Sequence, residues 1–379
     1  MTDVVIAGGG PIGLGIAWRC AQRGLTVVVA DDAGEGAYQA AAGMLAPVTE
    51  AAYGEERLLR LSRASLERYP AFVAELQAAA DMDVALRTSG TLQVGFDADD
   101  MRALTDLHRF HEELGLPAEQ LTAGQARRRE PSLTPRLRGA VHVPADHSID
   151  ARALRTALQT AAERAGVRRE RSRVEALVVE GGRAAGLRLA NGTTLRACAV
   201  VVALGARSGS LPGMAPVPVR PVKGQVLRLG GAQGLLEGTV RALVRGHLVY
   251  LVPVRRDELI VGATVEEKGF DQAVTAGGVY ELLRDAMEVV PGVSELELTE
   301  SLVRFRPGTP DNAPLLGPGE LPGLVLATGH YRNGILLTPV TAEAIAGLLV
   351  DGAVPEAAAG FGPERFTAAT ARAVGVMSS

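Results

Sequence analysis

The sequence predicts a mixed α/β fold that combines a parallel strand–helix–strand unit with an antiparallel sheet. The first observation is an apolar run at residues 4–7, followed by a glycine-rich turn, a helical pattern and a second apolar run at residues 26–30. The second observation is a series of short strand-like runs between residues 174 and 265, separated by turn residues. With 379 residues, these patterns indicate one large two-part fold or two intimate domains.

The N-terminal unit carries a nucleotide-binding pattern. Gly8, Gly10 and Gly13 form G-x-G-x-x-G between the first predicted strand and helix, and Asp31 ends the second strand, twenty-one residues after Gly10. Glycines at these places permit a tight turn, the approach of a pyrophosphate and close helix–strand contact, while the carboxylate accepts hydrogen bonds from a ribose. Because the strand–helix–strand unit is complete, the motif predicts a dinucleotide site rather than a plain structural turn.

Apolar residues at helical spacing predict three further helices, at residues 56–80, 99–114 and 339–350. The last of them follows the turn-rich segment 329–334. His108 and His111 have helical spacing but no acidic ligand pattern nearby, so we interpret them as part of a solvated helix face. No metal site is predicted.

Two groups of strands are predicted in the second half of the chain. The first group surrounds Gly181-Gly182 and Asn191-Gly192, which favour hairpins, and predicts a β-meander at residues 174–180, 184–190 and 193–204. The second group predicts the antiparallel sheet of another domain, at residues 225–229, 240–244, 247–254 and 258–265. The proline-dense segment 212–221 marks the crossing between domains. Lys223 follows it in a predicted proline-flanked turn, where we expect a structural role, with assistance to oxygen chemistry as the alternative.

Composition excludes several classes of function. The chain is 47% hydrophobic, has a formal net charge of −4 and contains no basic run with interleaved aromatic residues, so nucleic acid is not an expected partner. The N-terminus passes directly into a strand, and the longest apolar stretches, such as residues 197–206, are too short to span a bilayer, so we expect no membrane association and a cytoplasmic location. Cys20 in a helix and Cys198 in a buried strand predict no disulfide framework.

The choice of cofactor depends on a later strand. The run A-V-V-V-A-L-G at residues 199–205 predicts a buried strand ending at Gly205, placed as in two-domain flavoproteins where a strand returns beneath the cofactor. The sequence has no second G-x-G-x-x-G for a nicotinamide. We therefore expect FAD that is reduced by the substrate itself.

Four further segments resemble the glycine oxidase and D-amino-acid oxidase family of flavoenzymes, most closely glycine oxidase. They are A-A-A-G-M-L-A-P at 40–47, R-P-V-K-G-Q at 220–225, R-F-R-P-G-T-P-D at 304–311 and G-H-Y-R-N-G-I-L-L-T-P at 329–339. The resemblance implies a Rossmann-like FAD-binding domain interwoven with an antiparallel-sheet substrate-binding domain. The FAD-binding segments are 1–85, 145–218 and 318–370, and the substrate-binding segments are 86–144 and 219–317. FAD is expected to be non-covalent, because residues 304–306 lack the cysteine to which the related monomeric sarcosine oxidase attaches its flavin.

The resemblance also implies which residues line the cofactor. Ala42, Gly43 and Met44 would lie along the flavin, where small residues let the backbone approach, and Val174 would meet the adenine side through its backbone. The turn before the last helix would place backbone N–H groups at the pyrimidine edge of the flavin, whose charge in the reduced state a helix N-terminus stabilises. The residues of this turn are Asn333, Gly334, Ile335 and Leu336. A small-residue helix start and a plain glycine loop are the structural alternatives.

An amino-acid substrate needs a fixed cation for its carboxylate. Arg304 and Arg306 alternate with apolar residues and so share one face of a strand, and a planar guanidinium suits bidentate contact with a carboxylate. The resemblance implies Arg306 as the anchor, Tyr250 as a second carboxylate contact and Arg332 as a pocket residue. Core packing for Tyr250 and a surface ion pair for Arg332 are the alternatives.

The implied reaction is FAD-dependent hydride transfer from the Cα of glycine or an N-substituted glycine to flavin N5. It gives an imine that water hydrolyses to glyoxylate and ammonia or a primary amine, with O2 as the expected acceptor and H2O2 as its product. The protein would supply position and electrostatics without an indispensable side-chain base. Leu248 and Val265 would make the pocket apolar enough for a larger nitrogen substituent. The resemblance also suggests a homo-oligomer.

Three alternatives stay open. One is removal of a carboxymethyl group from a bulky secondary amine in a specialised pathway, in place of glycine oxidation for thiamine thiazole formation. Another is a flavin monooxygenase that uses NADPH, although the sequence lacks the pattern G-D-x-x-H-x-x-P. The third is a flavin-bound protein with a structural role and no turnover, against which Arg306 and Tyr250 argue.

Overall fold

The computed structural model describes residues 2–32, 34, 36–244 and 246–366. The end of the predicted segment 318–370, residues 367–370, lies outside the described residues. The α-helices are α1 (Pro11–Gln22), α2 (Glu56–Ala80), α3 (Ala98–Glu113), α4 (Ala123–Arg129), α5 (Ala151–Arg164), α6 (Ala276–Val289) and α7 (Thr338–Asp351). The strands are β1 (Val4–Ala7), β2 (Val27–Ala30), β3 (Met44–Leu45), β4 (Thr91–Gly95), β5 (Glu119–Thr122), β6 (Gly139–Val143), β7 (His147–Ser148), β8 (Arg168–Glu170), β9 (Val174–Glu180), β10 (Arg183–Leu189), β11 (Thr194–Arg196), β12 (Ala199–Val202), β13 (Arg220–Gly230), β14 (Thr239–Val244), β15 (His247–Arg255), β16 (Glu258–Gly262), β17 (Glu297–Gly308), β18 (Leu315–Pro318) and β19 (Leu324–Thr328).

A six-stranded sheet has the order β18-β19-β12-β1-β2-β8 and is parallel except for β18 at its edge. Alternate residues of β1 bury opposite faces, as a central strand requires. Val4 and Ile6 pack into a core with α1, α2, α5 and α7, whereas Val5 and Ala7 pack into a second core with the β9–β11 meander. The predicted parallel strand–helix–strand unit is therefore confirmed.

An eight-stranded sheet has the order β17-β13-β16-β15-β14-β4-β6-β5. The predicted antiparallel sheet is present, but β4 pairs with β14 in parallel, so the sheet is mixed. Helix α6 packs on one face of it. On the other face, Val226, Val252 and Ile260 pack against Ala40 and Ala42 from the long segment after β2. This contact brings the small-residue segment against the sheet that carries Tyr250.

The two large sheets use different segments of the chain. All strands of the six-stranded sheet come from residues before 85, between 145 and 218 and after 314, and all strands of the eight-stranded sheet come from the intervening segments. We propose on this basis that the domain division given above describes the fold, with β18 at the junction because it begins at residue 315.

Helix α7 is held deep in the molecule by α1 and α2. A Cβ on Gly15 would lie 3.2 Å from Thr338 Cγ2, so glycine lets α1 approach α7 closely. In front of α7, Ser65 Oγ donates to Leu336 O at 2.6 Å and the Tyr69 hydroxyl donates to Ile335 O at 2.5 Å. In the described part of the chain, no single helix is long and apolar enough to cross a membrane. One pair of helical segments reaches the required length and apolarity only when taken together, Thr338–Asp351 and Glu356–Phe366, and it is bent by 111°.

The sequence interpretation was wrong at one predicted strand. Residues 193–204 form two strands, because β11 completes the meander and β12 enters the six-stranded sheet between β1 and β19. Cys198 lies in the bend between them and is exposed, not buried in a strand, whereas Cys20 is buried in α1. The predicted strand at 258–265 is also shorter and ends at Gly262.

Lys223 and His111 lie in environments different from those expected. Lys223 is fully buried on β13 rather than in a turn, and its Nζ donates to Asp271 Oδ2 and Ala273 O, both at 2.7 Å. His111 is also fully buried, so it is not part of a solvated face, and burial lowers the pKa of its imidazole.

Candidate active site

A cavity of about 1500 Å³ lies between the six-stranded and eight-stranded sheets. Its lining starts at the turn between β1 and α1, continues along residues 40–44 and 203–207, and ends at Tyr250 and Arg306 on the eight-stranded sheet. The volume exceeds that of ordinary small-ligand pockets, which are at most about 1000 Å³. It therefore suits an extended ligand together with a second, smaller one.

The turn between β1 and α1 forms one end of the cavity. Gly10 is the N-cap of α1 without a side-chain cap, and a Cβ built on it would meet no atom within 4 Å, so the helix N-terminus faces open space. Such a terminus favours a phosphate group. Gly8 and Asp31 also line this end, but Gly13 lies behind it, where a Cβ would come within 2.0 Å of Gly8 O. Gly13 thus serves the packing of the turn.

Arg155 on α5 is a partner of this turn that sequence reasoning missed. Its Nε donates to Gly9 O at 3.1 Å, and its Nη2 lies 3.5 Å from Asp31 Oδ2. The arginine therefore holds the glycine turn and the carboxylate in one arrangement. It follows Asp31 by 124 residues, and no spacing rule connects the two.

The middle of the cavity is lined by residues that leave backbone accessible. Gly43 has φ +80°, and a Cβ there would come within 1.8 Å of Ile149 O, so only glycine fits. Its carbonyl accepts from the Ile149 N–H at 2.9 Å, which continues the β3–β7 pairing and fixes the segment. The other predicted cofactor residues that line this stretch are Ala42, Met44, Val174 and Gly205.

The turn before α7 contributes Gly334 and Ile335 to the lining, whereas Asn333 and Leu336 are not among the lining residues in the described part of the chain. Asn333 instead shapes the turn, since its N–H donates to His330 O and its carbonyl accepts from Leu337 N–H. Within the same described residues, the N–H groups of Gly334, Ile335 and Leu336 make no backbone hydrogen bond. They are available to an acceptor near the N-terminus of α7.

Tyr250 and Arg306 form the opposite end of the cavity. Both positions depend on a facing glycine: a Cβ on Gly262 would lie 2.4 Å from Tyr250 Cζ, and one on Gly224 would lie 2.5 Å from Arg306 Nη1. Arg306 Nη1 also donates to Thr264 O at 3.1 Å. Burial raises the pKa of Tyr250, an effect that the neighbouring positive charge of Arg306 opposes. The site thus offers a phenolic O–H and a guanidinium side by side.

Two further arginines line the cavity near this end. Arg304 shares the strand face of Arg306, as expected, but its Nε donates to Gln39 Oε1 at 2.8 Å, which turns it toward the segment after β2. Arg332 is exposed and stacks on the Tyr331 ring, with its Cζ 4.8 Å from the ring centre. Among these three arginines, Arg306 is the one whose positive charge opposes the rise in the pKa of Tyr250 that burial causes.

A buried ion pair in the cavity wall was not predicted. Arg241 on β14 lies opposite Tyr250 on β15, and its Nη1 is 2.7 Å from Glu50 Oε1. Both residues line the cavity. Their separation by 191 residues explains why sequence spacing gave no indication of the pair.

The mouth of the cavity carries three exposed apolar side chains. Leu248, Val265 and Phe270 line it and are 43%, 60% and 45% exposed, respectively. Phe270 packs edge-on against Phe305, with 5.2 Å between ring centres. Apolar side chains left exposed around a pocket favour an apolar ligand group.

His247, Glu281 and Asp285 cluster at the edge of this mouth, with their ligand atoms within 4.8 Å of one another. Arg284 lies against the cluster, donating to both carboxylate oxygens of Asp285 at 2.7 and 3.0 Å. A guanidinium in this position neutralises the charge that would attract a cation. We interpret the cluster as an ion-pair network.

Comparison with known proteins identifies the family. Residues 3–348 match the family described as FAD dependent oxidoreductase. The chain belongs to this family. Glycine oxidase from Geobacillus kaustophilus is 35% identical over 92% of both chains, and a crystal structure of glycine oxidase from that organism superposes with a TM-score of 0.89 at 34% identity, covering 96% of this chain and 99% of the other. The bifunctional protein ThiO/ThiG from a Nostoc species is 36% identical over 92% of this chain, which spans about half (53%) of that relative.

The cavity of this FAD-dependent oxidoreductase fits its cofactor in three respects. The uncapped N-terminus of α1 suits the pyrophosphate, Asp31 suits the ribose, and the free N–H groups before α7 suit an electron-rich ring edge. The three lie along one continuous cavity. Tyr250 and Arg306 line the same cavity on the side of the eight-stranded sheet.

Proposed function

We propose that this FAD-dependent oxidoreductase oxidises glycine or an N-substituted glycine to glyoxylate and ammonia or a primary amine. The observation that carries the proposal is the pairing of Tyr250 and Arg306 at the end of the cofactor cavity. The similarity to glycine oxidases supports it. We propose O2 as the terminal acceptor and H2O2 as its product.

Arg306 and Tyr250 would bind the substrate carboxylate. The guanidinium offers two parallel N–H donors, and the hydroxyl offers a third because the raised pKa of Tyr250 keeps it protonated. A carboxylate fixed at three points leaves the Cα–N bond in one orientation, which accounts for a large part of catalysis in a reaction of this type. Arg332 would close the site from the side of the α7 turn.

FAD bound in the cavity would supply the two-electron acceptor for the hydride that leaves Cα. As that C–H bond breaks, the nitrogen lone pair forms the C=N bond, and water then adds to Cα and releases the amine. The amine must be unprotonated for this step, and the positive charge of Arg306 nearby favours the neutral amine. The cofactor contacts would come from Gly8, Gly10, Asp31, Ala42, Gly43, Met44, Val174, Gly205, Gly334 and Ile335, which line the cavity, with Gly13, Asn333 and Leu336 shaping the two turns.

A second candidate is oxidative removal of a carboxymethyl group from a bulky secondary amine. The exposed apolar mouth formed by Leu248, Val265 and Phe270 favours it, because a substituent on the nitrogen would extend in that direction. Each methylene that leaves water there would improve kcat/KM by up to about fourfold.

Anaerobic reduction of the holoenzyme tests both candidates. We would follow the visible flavin absorbance after adding glycine, sarcosine, D-alanine and N-hexylglycine in separate experiments. Rapid bleaching by glycine or sarcosine supports the small-substrate oxidase, and bleaching by N-hexylglycine alone selects the bulky amine. An FAD-loaded protein that none of these amines bleaches would contradict the proposal.

A further inference from the structure

An ion pair between Arg241 and Glu50 lies in the wall of the cavity. Arg241 is 5% exposed and Glu50 is 12% exposed in their side chains, with 2.7 Å between Nη1 and Oε1. Arg241 Nη1 also lies 3.9 Å from Met44 Sδ, in the segment proposed to follow the flavin. Arg241 Nε has no hydrogen-bond partner among the described residues. The pair is thus part of the cavity wall and is not a surface contact.

The position of the pair relative to Tyr250 is fixed by the sheet. Residues directly opposite on neighbouring antiparallel strands project from the same face, and Arg241 is paired with Tyr250. Glu50, Tyr250 and Arg332 all line the same cavity, so the Glu50 carboxylate shares the space with the proposed substrate contacts. Glu50 is the more exposed partner of the ion pair, and its carboxylate is bound to the guanidinium that also lines the cavity.

We infer that Glu50 and Arg241 determine charge selectivity, so that the site takes N-substituted glycines whose nitrogen substituent carries no negative charge. This inference rests on the proposed function. Arg306 would bind the one carboxylate of glycine. A second carboxylate on the nitrogen substituent would be repelled by the Glu50 carboxylate, which is more exposed than Arg241. Arg241 could bind a second anion, but in the wild-type protein its charge is neutralised by Glu50.

The size of the effect follows from Coulomb's law. At a separation of about 8 Å and an effective permittivity of about 20, one unit charge changes the binding of another by about thirtyfold. Removing the negative charge of Glu50 would leave the positive charge of Arg241 without its partner in this ion pair. The selectivity for a neutral substituent should then shift by about ten- to thirtyfold toward an anionic one.

Two substrates of nearly equal shape measure this shift. Iminodiacetate carries a second carboxylate, and N-(carbamoylmethyl)glycine replaces it with a neutral amide. We expect the holoenzyme to favour the amide in kcat/KM, Glu50→Gln to shift the ratio toward iminodiacetate by at least tenfold, and the double variant Glu50→Gln with Arg241→Gln to return most of that shift. Glu55→Gln is the matched control, because Glu55 bonds Asn312 and is not among the described residues that line the cavity.

An unchanged ratio in FAD-loaded Glu50→Gln, with N-(carbamoylmethyl)glycine still oxidised, would overturn the inference. Should that variant fail to fold, ligand binding to the wild-type holoenzyme decides the question. Succinate and its monoamide are titrated against the flavin absorbance, and succinate is expected to bind at least tenfold more weakly. Equal or tighter binding of succinate also overturns the inference. Absence of amine turnover alone contradicts the proposed function, whereas this titration still tests charge selectivity.

Discussion

Gly224→Ala is expected to displace the proposed carboxylate anchor without removing it. The new Cβ would lie 2.5 Å from Arg306 Nη1 and 2.8 Å from its Cζ, so the guanidinium must move by about 0.9 Å to reach ordinary contact at 3.4 Å. A misplacement of about 1 Å at a reacting centre costs up to about a hundredfold in rate, or about 2.7 kcal/mol. We therefore expect kcat/KM for glycine or sarcosine to fall by about ten- to a hundredfold.

The assay measures steady-state kcat/KM, FAD content and the free energy of unfolding for the wild-type protein and for Gly224→Ala. The clash is with the end of a flexible side chain, so the unfolding free energy should change by less than about 1 kcal/mol. Gly124→Ala on α4 is the control, because the nearest atom to its Cβ is Arg128 Nη1 at 3.8 Å. A Gly224→Ala variant that binds FAD and keeps wild-type kcat/KM would refute the assignment of Arg306 as anchor.

Three other substitutions test separate parts of the site. Gly262→Ala places a Cβ 2.4 Å from Tyr250 Cζ and should lower kcat/KM about tenfold while FAD content is retained; retained kcat/KM would exclude the tyrosine as a substrate contact. Gly10→Val projects into open space at the α1 terminus and should weaken FAD binding at least tenfold, measured by fluorescence titration, with no loss of apoprotein stability. Lys223→Met removes a buried ammonium from Asp271 and should lower the unfolding free energy by about 2–4 kcal/mol in urea. Its rate of flavin reoxidation by O2 should not change, and a large decrease would instead support a role in oxygen chemistry.

Local periodicity predicted the elements that depend on local physics. The bounds of α2 agree with the predicted 56–80, because apolar residues such as Leu61, Tyr69 and Leu76 recur on one helix face and all are buried. The G-x-G-x-x-G turn was predicted because its glycines allow a tight turn and close helix–strand packing within one strand–helix–strand unit. In contrast, the apolar run at 193–204 has the same pattern whichever sheet it joins, so its division into β11 and β12 required the tertiary structure.

The candidate site divides in the same way. The roles of Arg306 and Tyr250 were implied by the family resemblance, since the strand pattern alone favoured core packing for the tyrosine, and both residues line the cavity. The environment of Lys223 was not predicted, because Asp271 and Ala273 lie beyond β16 in the chain and reach the lysine only in the folded structure. Buried charges are decided by such distant partners, which spacing rules do not describe.

The assembly of the substrate end from both parts of the fold has a consequence for stability and selectivity. Met44 and Glu50 come from the segment that follows the six-stranded sheet's β2, whereas Arg241, Tyr250 and Arg306 come from the eight-stranded sheet. The 2.7 Å contact between Glu50 and Arg241 therefore joins the two parts at the place where substrate binds. A cofactor that contacts both sides of the cavity would stabilise the same junction, since a ligand that binds only the folded state raises its stability by mass action. Substitution of Glu50 should thus alter substrate choice and the gain in stability on FAD binding together, because both depend on the same contact between the parts.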